Sequence, residues 1–234
     1  MTTPRALLMT RKIFIVFVGM VLVVCQSFQC GKNLPNSCNA YKQDTVLLNA
    51  SVPNSNPVYH PGDTIWINSS VSDILVPSSG LGSFTVNLDQ LYLNVQPFSV
   101  VSTSTVPQLQ FANIEFNPVV MEGSLQNSAY SGYNFLYNRA NALNSLKVGF
   151  VAGRTGLYIM ESTNHRYFTG DVASFIKPGD PCTTYYGISS FSEAEQNKNY
   201  WNALGMTTIS LPPNYGSLSI SKDMKNYFIF EIVP

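Results

Sequence analysis

Histidines and acids are the side chains of this sequence that metal or acid–base chemistry would need. The two histidines, His60 and His165, have no Cys, Asp or His partner at a metal-ligand spacing. His60 stands before a turn signal, and His165 lies in the predicted loop 164–166. We therefore expect both to be solvated surface residues, and we expect no metal site.

Nucleophile motifs and acidic residues give no further support for catalysis. The sequence has no Gly-x-Ser-x-Gly elbow and neither common phosphate-binding loop. Glu122 and Glu161 are acids of the kind that a glycoside hydrolase pairs, but the sequence leaves open whether they face each other. Pro61–Asp63 and Pro178–Asp180 lack further acids nearby, which favours turns over calcium sites. The prediction is a non-enzyme without a cofactor.

Tyrosine and tryptophan clusters are the feature best suited to ligand binding. A flat aromatic patch would stack on sugar rings, with Asn and Ser supplying hydrogen bonds. The same residues also pack in β-domain cores and loops, so both interpretations stay open. One cluster is Tyr130, Tyr133 and Tyr137, and the other, which supplies our candidate ligand-binding residues, is Tyr185, Tyr186, Tyr200 and Trp201.

Four cysteines bear on the compartment and on the processing of the chain. Their spacing contains no Cys-x-x-Cys, which argues against zinc or thioredoxin-like chemistry. In an oxidising compartment the natural disulfide joins Cys38 to Cys182. Acylation of Cys30 would leave those two as an even pair, whereas cleavage near Cys25 would leave three thiols. We therefore take Cys30 as the lipidation site, although Gln29 stands before it where a small residue is expected.

The N-terminal segment is predicted to direct the chain across a membrane. Arg5, Arg11 and Lys12 precede the apolar run Ile13–Cys25. This run is shorter than the roughly 20 residues of a membrane span and is typical of a signal-peptide core. An uncleaved anchor, extended by Leu7–Met9, is the alternative. The predicted organisation is a signal peptide or anchor over 1–29, a tether over 30–43 and a β domain over 44–234.

Composition supports an extracytoplasmic β protein. Charged residues make up 11% of the chain, against about 25% in typical proteins. Hydrophobic residues reach 45% and aromatics 12%, which excludes a disordered chain. The net charge is zero, so the sequence offers no basic face for nucleic acid.

Period-two alternation predicts most of the secondary structure. The two runs of 146–160 flank a Gly-bounded turn and predict a hairpin. One helix is predicted from Ser192, as N-cap of a capping box with Glu195, to Leu204, with Gly205 after its end. Many short strands and one late helix favour an all-β sandwich. The other predicted strands are 44–50, 64–71, 84–88, 91–95, 108–116, 133–139 and 227–233.

Three segments, Cys30–Cys38, Tyr59–Ile67 and Gly149–Tyr158, resemble exported proteins and lipoproteins of Bacteroidota that have no assigned activity. The resemblance implies an Ig-like β-sandwich on the cell envelope with a lipidated Cys30. Surface-exported lipoproteins of this group carry acidic residues after the acylated cysteine, whereas Gly31–Asn33 follow Cys30 here. This departure leaves a periplasm-facing protein open.

These observations together predict a non-catalytic structural or interaction module of the cell envelope. Its location is extracytoplasmic: the periplasm, the outer membrane or the medium. The expected partners are the membrane, through the signal or lipid anchor, and an envelope protein or a glycan. A carbohydrate-binding module that uses the surface Tyr and Trp residues is the alternative function, and a hydrolase is the least favoured.

The predicted disulfide can be tested directly. Peptide mass spectrometry without reductant should recover Cys38 and Cys182 in one cross-linked species. In the chain-entropy model Cys182→Ser then lowers the free energy of unfolding by about 4 kcal/mol, because the reduced unfolded chain is less constrained. Full alkylation of both thiols before reduction would contradict the pairing.

Overall fold

A computed structural model describes residues 42–53, 57–80, 82–88, 91–102, 107–129, 132–166, 173–206, 208–210, 219–221 and 225–234. The predicted signal or anchor over 1–29 and the lipidation site Cys30 lie outside the described residues. No helix in the described ranges is long and apolar enough to cross a membrane.

Most of the described residues belong to β-strands. In chain order the strands are β1 (Lys42–Ser51), β2 (Val58–Tyr59), β3 (Thr64–Ser72), β4 (Ile74–Leu75), β5 (Phe84–Thr85), β6 (Leu91–Ser102), β7 (Pro107–Phe111), β8 (Phe116–Glu122), β9 (Ser124–Ala129), β10 (Gly132–Leu136), β11 (Asn138–Ala140), β12 (Leu143–Ala152), β13 (Gly156–Arg166), β14 (Ser174–Lys177), β15 (Asp180–Phe191), β16 (Thr208–Ser210), β17 (Ser219–Ser221) and β18 (Tyr227–Ile232). A 3-10 turn covers Asn113–Glu115 and an α-helix, α1, covers Ala194–Ala203.

The strands form two large sheets and one small one. The seven-stranded sheet has the order β11-β12-β3-β1-β15-β14, with β8 also paired to β12. The nine-stranded sheet has the order β17-β16-β7-β6-β13-β18-β2, with β10 paired to β6 and β9 paired to β10. The third sheet is the pair β4-β5.

Alternation along the strands creates the main core between the two large sheets. In β3, Ile65 and Ile67 are fully buried while Trp66 between them is half-buried. Opposite them, Leu93 and Val95 of β6 are also fully buried. Because successive side chains of a strand point to opposite faces, each sheet keeps one apolar face inside the sandwich. The predicted mostly-β sandwich is confirmed at this level.

The predicted hairpin over 146–160 is wrong. β12 pairs with β3, β8 and β11, whereas the following strand β13 pairs with β6 and β18. The three residues between them, 153–155, therefore cross from one sheet to the other. Both strands alternate as a hairpin would, because alternation reports which face is buried and not which strand is the neighbour.

The helix covers the outer face of the nine-stranded sheet. Trp201 of α1 is 2% exposed and packs with Ile159, Ile209 and Ile229 in a second hydrophobic cluster. The Asn197 amide accepts from the Ile229 backbone N–H at 2.8 Å and donates to the Ile229 carbonyl at 2.6 Å. These paired hydrogen bonds fasten the helix to β18.

The two ends of the helix differ in how well the sequence predicts them. Gly205 has φ 70° and the Met206 N–H reaches the Trp201 carbonyl at 3.0 Å, so the predicted C-terminal glycine is confirmed. The predicted N-cap, Ser192, is wrong, because Glu193 occupies that position. The Glu193 carboxylate instead accepts from the Val52 backbone N–H at 3.0 Å.

A half-buried ion pair ties the β4–β5 segment to β11 and β12. The Arg139 guanidinium lies 2.6 Å from the Asp73 carboxylate and also donates to the Asn87 amide oxygen. The backbone N–H of Asp73 donates to the Ala142 carbonyl at 3.0 Å. The Asp73 side chain is 7% exposed, so its negative charge is stabilised by Arg139 and only weakly by water.

Removing that partner should destabilise the fold. Arg139→Ala leaves the Asp73 carboxylate nearly buried without a cation, and we expect a loss of about 2 kcal/mol in urea unfolding. Arg154→Ala is the control, because Arg154 is 73% exposed and lies 3.7 Å from Glu115, and we expect a loss below about 0.5 kcal/mol. Equal losses in both variants would count against a role for Asp73 as an anchor.

Candidate functional site

The residues selected for acid–base or metal chemistry do not converge. Glu122 ends β8 on the outer face of the seven-stranded sheet, whereas Glu161 lies in β13 of the other sheet and accepts from the Tyr227 hydroxyl at 3.0 Å. Burial raises the pKa of Glu161, and the Tyr227 hydrogen bond opposes that rise. The described residues hold no group of three or more His, Cys, Asp or Glu that would bind a metal.

The predicted turn residues and His60 have structural partners. Asp63 accepts from the His60 backbone N–H at 2.7 Å, and Asp180 accepts from the Cys182 N–H at 3.2 Å. His60 is exposed, as predicted, and its Nδ1 lies 3.0 Å from the backbone oxygen of Pro234. The side chain of His165 lies outside the described part of the chain.

Two of the four candidate ligand-binding aromatics are buried, so the surface interpretation is wrong for them. Tyr185 is 5% exposed and packs on Phe84 at 4.7 Å between ring centres. Trp201 is 2% exposed, on the face of α1 that packs against the nine-stranded sheet. Both side chains fill cores because Tyr185 lies on the inward face of β15 and Trp201 on the inward face of α1. The periodicity of the sequence did not identify these inward faces.

The other two candidates are half-buried on different sheets. Tyr186 belongs to β15 of the seven-stranded sheet. Tyr200 belongs to α1, and its hydroxyl donates to Glu231 at 3.2 Å. Burial, with the Glu231 charge second, raises the pKa of Tyr200 to about 12. These two tyrosines therefore do not form one patch.

The tyrosine cluster at 130–137 also belongs to the interior. Tyr133 and Tyr137 are 5% and 6% exposed, and Tyr130 lies outside the described residues. The Tyr137 hydroxyl bonds to Ser69 at 2.8 Å and to Asn164 at 2.9 Å. Burial raises the pKa of Tyr137 to about 12, so it is a neutral hydrogen-bonding group of the core.

One of the two predicted disulfide partners belongs to the described part of the chain. Cys182 lies half-buried in β15, and Cys38 lies outside the described residues. The pairing of Cys38 with Cys182 stays a prediction.

The seven-stranded sheet has a gap between β1 and β3. The register of these antiparallel strands pairs only Ala50 with Ser69 and Ser51 with Asn68. On its other edge β1 pairs with β15 in parallel over nine residues, Lys42–Ala50. The sheet therefore holds β1 firmly, and β3 is no longer paired with it beyond Ser69.

An apolar recess fills this gap and reaches the core. Its volume is about 390 Å³. The floor consists of side chains that are 1–4% exposed, Val46, Leu48, Val71 and Leu75. The rim carries three exposed aliphatic side chains, Leu47, Ile74 and Val76, at 45%, 59% and 59%. An apolar group that enters the recess would contact core side chains directly.

The segment that follows β4 closes one end of the gap. Pro77 forms an isolated antiparallel bridge with Val46, and the Ser78 N–H donates to the Thr45 carbonyl at 2.8 Å. The Ser79 hydroxyl donates to the Asp44 carboxylate at 2.6 Å, and this hydrogen bond holds the pKa of Asp44 below its usual value. These contacts fasten the wall of the recess to β1.

A second, polar recess continues the first along the outer face. Its volume is about 370 Å³, and it shares Asn49 and Ser70 with the apolar recess. Ser145 donates to the Glu122 carboxylate in its wall. Its other polar walls include Asn68 and Lys147. We call the two recesses together the β1–β3 groove.

Two features of the polar recess affect what it would bind. The Oδ1 atom of Asn68 is buried and has no hydrogen-bond partner within the described part of the chain. An incoming donor that reaches this amide would remove an unsatisfied acceptor. The Lys147 ammonium lies 5.5 Å from the centre of the Trp66 ring, a cation–π distance.

Gly149 determines where Trp66 lies. The two residues pair across β12 and β3. A Cβ atom on Gly149 would meet two Trp66 ring carbons at 3.0 Å and the Thr64 Cγ2 at 2.5 Å. The missing side chain lets the indole lie against β12, so its ring packs on the sheet instead of projecting from it.

Sequence reasoning missed this groove, although a signal for the exposed face exists. In the three triplets 46–48, 74–76 and 119–121 every residue is apolar, so alternation fails and both faces carry aliphatic side chains. The central or flanking residue of each triplet is exposed, as Leu47, Ile74 and Met121 illustrate. Strands of this kind are buried on both faces or await a covering partner.

Comparisons with known proteins give little guidance on identity. No family of known proteins matches the sequence, and no curated protein matches it. A similar solved structure is the CupB6 tip adhesin from Pseudomonas aeruginosa, at 13% identity and a TM-score of 0.26. The match covers 67% of this chain and 43% of the adhesin chain, so this chain spans less than half of that protein. A similarity at that TM-score carries no argument about this chain.

Proposed function

We propose that this chain is a non-catalytic interaction module that works outside the cytoplasm and binds a protein partner. The binding surface is the outer face of the seven-stranded sheet. The export signal Ile13–Cys25, lipidation at Cys30 and an Ig-like form of the sandwich are part of the same proposal. They rest on the patterns of the sequence.

The observation that carries the proposal is the distribution of exposed aliphatic side chains. Among the residues whose exposure is described, ten large hydrophobic side chains are exposed, and eight belong to the seven-stranded sheet or the flanking β4 segment. The eight are Leu47, Ile74, Val76, Val119, Met121, Leu143, Ile176 and Ile188, whereas Ile114 and Leu125 lie elsewhere.

The registers of the paired strands place several of these side chains on the same face of the seven-stranded sheet. Leu47 of β1 pairs with Ile188 of β15, and neighbouring paired residues of a sheet lie on the same face. Val119 of β8 pairs with Gly149 of β12, which pairs in turn with Trp66 of β3. Apolar side chains thus form two groups on this face, one on β1 and β15 and one on β8, β12 and β3.

The opposite side of the molecule is built differently. There α1 covers the nine-stranded sheet, and Trp201 fills the cluster beneath it. The seven-stranded sheet has no such cover within the described residues. An uncovered apolar face with few charges is typical of a protein interface, because burying it removes little charge from water.

The exposed side chains of this face are mainly aliphatic, which favours a protein partner over a sugar. Sugar rings stack on exposed aromatic faces, and the buried Tyr185 and Trp201 offer none. Trp66, the aromatic residue beside the groove, has Gly149 against its ring and Lys147 over it. The carbohydrate-binding alternative is therefore less well supported than a protein interface.

Site-specific photo-crosslinking tests the proposed face. A benzophenone amino acid is placed at Ile188 of the seven-stranded sheet or at Leu125 of the nine-stranded sheet, which have matched exposures of 41% and 40%. In cells of the natural source we expect discrete protein adducts from the Ile188 position, several-fold more abundant than from Leu125. Equal adduct yields, or none from Ile188, would refute the proposed interface.

A further inference from the structure

Three side chains of the polar recess stand in one row across neighbouring strands of the seven-stranded sheet. Lys147 of β12 pairs with Asn68 of β3 on one side and with Glu122 of β8 on the other. Directly paired residues of antiparallel strands share a face, and their Cβ atoms lie about 5 Å apart. The lysine amine is therefore placed between a carboxamide and a carboxylate, and its long side chain can reach either of them.

The Trp66 ring keeps the lysine side chain against the sheet. Trp66 and Asn68 are two residues apart in β3 and so share a face. The Lys147 ammonium lies 5.5 Å from the centre of the indole, which is a cation–π distance. Because this contact already restricts the lysine, its nitrogen loses less freedom when it approaches the neighbouring amide.

The Asn68 amide and the Glu122 carboxylate offer complementary chemistry to that amine. The Oδ1 atom of Asn68 is buried and has no hydrogen-bond partner among the residues that the structure describes. A proton or a donor that reaches this oxygen would polarise the carbonyl carbon for nucleophilic attack. Glu122 is an acceptor for a proton of the ammonium, and a hydrogen bond from the Ser145 hydroxyl helps to fix its position.

We propose that Lys147 and Asn68 join in an intramolecular isopeptide bond, with Glu122 as the proton carrier. Glu122 takes one proton from the Lys147 ammonium, and the amine nitrogen attacks Cγ of Asn68. The bond between Nζ and Cγ forms, and the bond between Cγ and Nδ2 breaks. The leaving nitrogen takes the second proton of the amine and the proton held by Glu122, and it departs as ammonium. The carboxylate is regenerated, and nothing is oxidised or reduced.

Such a bond would close a covalent loop between β3 and β12. The loop contains all the elements from β4 to β11, and a cross-link of this kind limits the freedom of the unfolded chain. The reaction needs no bound partner, because its three groups belong to this chain. The isopeptide bond and the protein-binding function therefore succeed or fail independently.

Mass spectrometry of the purified full chain, with its disulfides reduced, tests the bond. We expect the chain to be lighter by one ammonia molecule than its mature sequence requires. Cyclisation of an N-terminal glutamine loses the same mass, so the assignment rests on peptides. Tryptic digestion should give one branched species that joins the peptides of Asn68 and Lys147, because an acylated lysine is not cleaved. Recovery of the two peptides unlinked overturns the inference.

Two lysine variants locate the reacting amine. Lys147→Arg keeps the positive charge but removes the nucleophile, and it should abolish the branched species. Lys177→Arg is the matched control, because Lys177 is also half-buried in the seven-stranded sheet but pairs with Asp180. It should leave the cross-linked fraction unchanged. A branched species that survives Lys147→Arg, or that both substitutions remove, overturns the assignment.

Glu122→Gln separates proton transfer from a structural role. At neutral pH it should lower the rate of bond formation by at least about tenfold, because the amine loses its proton acceptor. Incubation of the folded variant at about pH 10, near the ordinary pKa of a lysine, should restore the bond, since solvent then removes the proton. Circular dichroism confirms that the variant is folded. A wild-type rate at neutral pH, or no recovery at high pH, overturns the role of Glu122.

Discussion

The parallel pairing of β1 with β15 is the interaction on which the exposed face depends. It runs over nine residues and sets Val46, Leu48 and Ala50 into the core. The end of β1 is secured as well, because the Ala50 carbonyl accepts from the Ser192 N–H at 2.9 Å. A strand held this well on one edge does not need a full ladder on the other, so β3 separates without unfolding the sheet.

The sandwich is therefore asymmetric. Its nine-stranded sheet is finished by a helix whose Trp201 and Asn197 bind the sheet by packing and by hydrogen bonds. Its seven-stranded sheet carries aliphatic side chains on the side that would otherwise face water. Within the described ranges, the chain's own residues cover the nine-stranded sheet, and no helix covers the seven-stranded sheet.

Sequence periodicity predicted some of the strands, missed others such as β9, β14 and β15, and predicted their neighbours poorly. Runs such as 64–71 and 91–95 alternate, and they form β3 and most of the first half of β6. The same alternation suggested a hairpin at 146–160, where the structure places the two strands in different sheets. Pairing depends on contacts between residues far apart in the chain, such as Leu47 with Ile188, and no local pattern contains that information.

The candidate site shows the same limit. Tyr185 and Trp201 were plausible ligand contacts by residue type, and both are buried because of how their elements face the sheets. The C-terminal end of the helix was predictable because it depends on the backbone conformation of a single residue. Gly205 adopts a positive φ as expected. At the other end, the Glu193 carboxylate accepts a hydrogen bond from the backbone N–H of Val52, 141 residues away in the chain.

The bridge between Pro77 and Val46 has one more consequence for the gap beside β1. Proline has no N–H group, so no ladder can continue through this position. Beyond it, the Thr45 carbonyl is already used by Ser78. At the other end Ala50 and Ser51 of β1 pair with Ser69 and Asn68 of β3, so the gap is closed at both ends and only residues 47–49 of β1 line it. The recess is therefore a bounded depression in the sheet whose length is set by the chain's own pairing.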